Sequence, residues 1–112
     1  MAHAQIHVWE CVFNLPSVNI PSKTLYILSE LTFDGEGSTS AEDHLCNFFY
    51  KCLKNNIIDP NVICILLALT FQGQVKYWFE SFLANSIHSL CEFVIEFLLD
   101  FNNYDYDEVS EE

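Results

Sequence analysis

The chain contains no arginine, and its four lysines face sixteen acids, for a formal net charge of −12. A field of that sign repels phosphate backbones, which argues against direct nucleic-acid binding by this chain alone. Long apolar runs are missing too. The longest, Val62 to Leu69, spans eight residues, whereas a membrane-crossing helix needs roughly 20, so no membrane span is expected. The N-terminus has no basic region, and Glu10 falls where a signal peptide's apolar stretch would continue. The five cysteines (Cys11, Cys46, Cys52, Cys64, Cys91) include no CxxC pair, are odd in number and are widely spaced. A disulfide framework is not indicated. The pattern reads as reduced thiols inside the cell, with the cytoplasm as the expected location. Glycine is scarce at three residues, and neither a Gly-rich phosphate loop, a G-x-S-x-G elbow nor a pair of catalytic carboxylates is found. The expectation is no enzyme activity and no cofactor.

What is present is enough for a core. With 112 residues the chain is about one domain long. It is 51% hydrophobic, with ten Phe, five Tyr and two Trp, and a chain of this size buries roughly two-thirds of its unfolded surface. Wholesale disorder is excluded.

Residues 1–32 form a poorly defined segment in which Pro16 and Pro21 punctuate short apolar runs. Val8, Trp9, Val12 and Phe13 could share a helical face, and Leu25, Ile27, Leu28 and Leu31 could anchor a short extended or helical piece. From Ser38 onward the signals agree. Ser40, Glu42 and Asp43 form a helix start, followed by apolar residues at Leu45, Phe48, Phe49, Cys52 and Leu53 and by Lys51 and Lys54 in the last turn. Asn55 and Asn56 end that helix. Asp59-Pro60 opens the next, whose run from Val62 is apolar all round and so belongs at the centre of a bundle. Gly73 breaks it. A short third helix would turn Val75, Trp78, Phe79 and Phe82 inward, with Lys76 and Glu80 toward solvent. Ser89-Leu90-Cys91-Glu92 is an S-x-x-E capping box before Phe93, Val94, Phe97, Leu98 and Phe101. Helices are therefore predicted near 40–55, 60–71, 74–83 and 89–102, without a sheet, and with Phe49, Leu66, Trp78, Phe93 and Phe97 buried together. Residues 100–112 carry six of the sixteen acids and no base. The last ten, 103–112, read as a frayed acidic tail that starts another helix without completing it.

The ordered series F-D-G-E-G-S-T-S-A-E-D-H-L (Phe33 to Leu45), L-T-F-Q-G-Q-V-K-Y-W-F (Leu69 to Phe79) and N-S-I-H-S-L-C-E-F (Asn85 to Phe93) resembles the gag domain of plant gypsy-type LTR retrotransposons. The resemblance covers about residues 33 to 108. It implies an all-α fold, a small helical bundle like the N-terminal lobe of a retroviral capsid, with residues 33–102 as a partial gag-like domain. The implied function is structural, by self-association with other gag chains in particle assembly. Carried onto this sequence, it gives Phe33 and Gly35 the loop before the first helix, and places Leu45 just after that helix begins. Gly73 would allow a turn, Trp78 and Phe79 would anchor the third helix in the core, and Ser89, Phe93 and Phe97 would set the fourth. Leu90 stands where the family commonly has Trp, and Val75 where it has Ala. No zinc knuckle, protease triplet or polymerase motif occurs in the sequence, so the chain is expected to be a fragment or degenerate copy of a larger polyprotein. The alternative is a domesticated helical interaction module that binds a host partner or intact gag.

Three places carry metal-competent residue types. His3, His7 and Cys11 at i, i+4, i+8 would line one side of a helix, but no fourth ligand is identified. His88 and Cys91 straddle a helix start and read better as a capping loop beside a thiol. Asn103, Asp105 and Asp107 alternate like calcium-loop ligands, yet Glu108 sits where that loop needs glycine. No metal site is expected. The Trp78, Phe79 and Phe82 stripe reads as core before it reads as a partner groove.

Overall fold

In a computed structural model of the chain, residues 12–15, 20, 22–28 and 30–101 are described. Five helices lie wholly among them: α1 (Ser22–Ile27), α2 (Ala41–Lys54), α3 (Pro60–Leu69), α4 (Gly73–Glu80) and α5 (Leu90–Phe101). No strand occurs among the described residues, and the only extended pairing there is two isolated parallel bridges, Phe13 with Ile87 and Phe33 with Phe71. The chain is all-α over these residues.

Local chemistry accounts for the helix ends. Ser40 Oγ accepts the Asp43 N–H at 3.0 Å, and Glu42 and Asp43 sit at the positive end of α2 while Lys51 and Lys54 sit at its negative end. At the far end Asn56 takes a left-handed φ of 61°. Its N–H donates to the Leu53 carbonyl and the Ile57 N–H reaches back to Cys52 at 2.8 Å, the double closure of a Schellman turn. Asp59 caps α3 through the Asn61 N–H at 2.9 Å, with Pro60 in the first turn. Ser89 Oγ accepts from the Glu92 N–H at 3.1 Å, while the Glu92 carboxylate accepts from the His88 N–H at 2.6 Å, so the box at the start of α5 closes on the residue before the cap.

Two predicted helices are shorter than expected. The spacing predicts a third helix to residue 83, but α4 stops at Glu80. There the Ser81 hydroxyl donates to the Trp78 carbonyl at 2.7 Å and caps the end. The spacing predicts the second to residue 71, but α3 stops at Leu69. Phe71 leaves the helix because its segment pairs with Phe33: the Phe33 N–H donates to Thr70 O and the Gln72 N–H to Phe33 O, each at 2.9 Å.

The core gathers Leu45, Phe48, Cys52, most of α3 from Ile63 to Ala68, Phe71, Val75, Phe79, Phe93 and Phe97. α5 packs against α3 and α2. Val12, Phe13 and Leu28 belong to the same core, so buried packing runs across residue 33. The expected five-residue cluster needs correcting. Leu66, Phe93 and Phe97 are fully buried, but Phe49 and Trp78 are only partly so, and Leu53 is 68% exposed. The apolar arc of α2 is wider than the surface that covers it, and Phe48, not Phe49, points along the buried direction.

Candidate functional site

The two Phe-x-Gly segments, Phe33-Asp34-Gly35 and Phe71-Gln72-Gly73, meet through the Phe33–Phe71 bridge. Both glycines have positive φ, 80° at Gly35 and 54° at Gly73, a conformation that carries a steric cost for any residue with a Cβ. Space is short as well. A Cβ on Gly35 would lie 2.9 Å from Gln74 Nε2 and 3.1 Å from Val75 Cγ2, and one on Gly73 would lie 3.4 Å from the Asp34 Cβ. Each turn is thus packed on the other, and together they hold the start of α4 against the loop before α2.

Beneath this clamp sits His44, which is 2% exposed. Its ring stacks on Phe33 with centroids 5.0 Å apart. Thr70 donates its hydroxyl hydrogen to Leu67 O at 2.7 Å, so its oxygen accepts from His44 Nε2 at 2.9 Å. That arrangement selects the neutral imidazole protonated at Nε2. Burial pushes the ring's pKa down from 6.5 to about 4, because desolvation penalises the charged form. His44 is a satisfied core histidine. Its signal in the sequence was the position four residues before Phe48, on the same face of α2.

The other residues of the motif are structural. Leu45, Phe79, Phe93 and Phe97 are buried, and Ser89 caps α5. Phe71 stacks on Phe97 at 5.1 Å, and Phe33 meets Phe97 edge-on at 5.5 Å. Trp78 is placed differently from the expected core anchor. Half-buried at the seam of α4 and α5, it lies against Phe82 at 4.9 Å and Phe101 at 5.1 Å and donates its indole N–H to Asp100.

Burial raises the thiols of Cys52 and Cys64 to about 11 and about 12, so both are protonated at neutral pH. His88 Nδ1 lies 3.3 Å from Glu92, whose carboxyl is held below its ordinary range first by the His88 backbone N–H; both residues are exposed. Among the described residues no group of three or more His, Cys, Asp or Glu could hold a metal ion. The His3, His7 and Cys11 set, the Asn103, Asp105 and Asp107 set and the expected fraying of 103–112 lie outside the described residues. Clefts among the described residues include two on the surface. One of about 300 Å³ lies between α1 and α3 and is lined by Leu25, Leu28, Leu31, Leu66 and Leu69; another of about 500 Å³ is bordered by Tyr26, Glu30, Tyr50, Lys51 and Lys54. No helix among the described residues is long and apolar enough to cross a membrane. In comparisons with known proteins, no family model, no curated protein and no solved structure matches the chain.

Proposed function

We propose that the chain is a non-enzymatic, capsid-like gag-type structural protein that acts in the cytoplasm by self-association with copies of itself or with other gag chains. The observation that carries this reading is the division of labour in the motif series. Phe33, Gly35, Leu45, Gly73, Phe79, Phe93 and Phe97 form turns and core, while none converges with a second polar group into a site for chemistry. A motif spent entirely on shape suits a protein whose product is an assembled surface. Large apolar side chains remain at the surface, and two of them, Tyr26 and Tyr50, border the same cleft, an exposed apolar area of the kind that a contact between copies would cover. Sedimentation velocity over a wide range of protein concentration tests the proposal. The expected result is a sedimentation coefficient that grows with concentration. One monomeric species throughout would refute it and favour the interaction module.

A further inference from the structure

Nine of the twelve residues of α5 are apolar and the other three are acidic. Phe93 and Phe97 take up the buried side, where α3 and α2 pack. Cys91, Ile95 and Leu99 follow one another at i, i+4, i+8 and all are exposed, Ile95 at 52% and Leu99 at 69%. Glu92, Glu96 and Asp100 form the next row around the helix, also exposed, since each step along a helix turns about 100°. Glu92 accepts from the His88 N–H and Asp100 from the Trp78 indole, and each carboxylate keeps its charge and further acceptor positions toward solvent. A surface helix of a globular domain normally gives its outer side to polar residues. Here the apolar arc continues past the core into solvent and then borders a row of acids.

The charge says what fits there. α5 has no basic residue, and the whole chain carries −12. A second copy docking the same face by two-fold symmetry would bring its own acid row into the contact, and like charges brought together in an interface oppose it. A helix with an aliphatic stripe flanked by lysines or arginines would complement both rows at once, in the helix-on-groove manner of peptide recognition. We propose that the outer face of α5 docks a basic amphipathic helix of another protein, with that helix's aliphatic residues on Cys91, Ile95 and Leu99 and its bases against Glu92, Glu96 and Asp100. The inference stands apart from the assembly reading and does not need it.

Fluorescence anisotropy of the full chain with a labelled peptide of about four helical turns, built of leucine and lysine at helical spacing, tests this. Binding is expected, and a leucine and glutamate peptide of the same pattern is expected to stay free. Ile95→Asp and Leu99→Asp should each weaken binding by about tenfold or more, the effect of losing an anchor. Glu96→Lys should weaken it while Glu30→Lys, the same change in net charge away from α5, leaves it near wild type. Equal losses for Glu96→Lys and Glu30→Lys with no effect of Ile95→Asp would reduce the interaction to bulk counter-charge and overturn the proposal. So would sedimentation showing that wild type self-associates, that Ile95→Asp does not, and that the lysine peptide fails to bind, because the occupant would then be a second copy.

Discussion

At the scale of single residues, His44 couples the core to pH. Its pKa in the fold, about 4, lies below the ordinary 6.5, so the unfolded chain binds the proton more readily. The stability it contributes is fully present above the ordinary value and is lost as pH falls from 6.5 toward 4, with a slope of at most about 1.4 kcal/mol per pH unit. His44→Phe, which keeps an aromatic ring beside Phe33 and leaves the Thr70 hydroxyl bonded to Leu67, should remove that slope. Urea midpoints of the two proteins compared from pH 7 to pH 4 check it; a constant difference across the window would mean that His44 does not titrate as described. The glycines offer a second contrast. Gly35→Ala forces a Cβ into positive φ against the buried Val75 and should cost about 1 to 3 kcal/mol, whereas Gly37 has nothing within 4 Å of such a Cβ, so Gly37→Ala should be close to neutral. Similar melting losses for both variants would contradict the clamp.

Among the elements, α2, α3 and α5 begin where a short polar side chain can accept a backbone N–H, namely at Ser40, Asp59 and Ser89. Ser89→Ala should cost about 1 kcal/mol and Ser89→Asn much less, read from thermal melting. Identical melting of all three proteins would show that the Glu92–His88 bond alone sustains the start of α5. These starts were legible because a cap and its helix are close neighbours in sequence. The early ends of α3 and α4 were not. Phe71 fits an apolar helical period as well as an extended one, and only pairing with Phe33, far away along the chain, decides between them. The depth of Trp78, which packs against the core but is only partly buried, is hidden from the sequence for a related reason. Its spacing puts it on the apolar side of α4, but whether that side is deep or at a seam depends on how α5 crosses it.

For the whole molecule, charge is the governing quantity. Four lysines against sixteen acids should leave the chain no better at holding single-stranded RNA than an inert acidic protein at physiological salt. Submicromolar, salt-sensitive gel shifts would contradict this. Packaging of RNA in the assembly reading would then fall to a basic partner, and the acidic and aliphatic rows of α5 are the kind of surface such a partner could use.

The helical class, the three capped starts, the central place of the apolar α3 and the acidic surface are all legible in the amino-acid order, because each depends on interactions within a few residues or on composition alone. Contacts between distant segments are what make the two Phe-x-Gly turns clasp each other, bring Val12 and Phe13 into the core beside Ile87, seal Phe48 rather than Phe49 from water and leave an exposed apolar row on α5. Those outcomes depend on which surfaces meet, and a helical period leaves that open: it defines an apolar arc but not the neighbour that covers part of it.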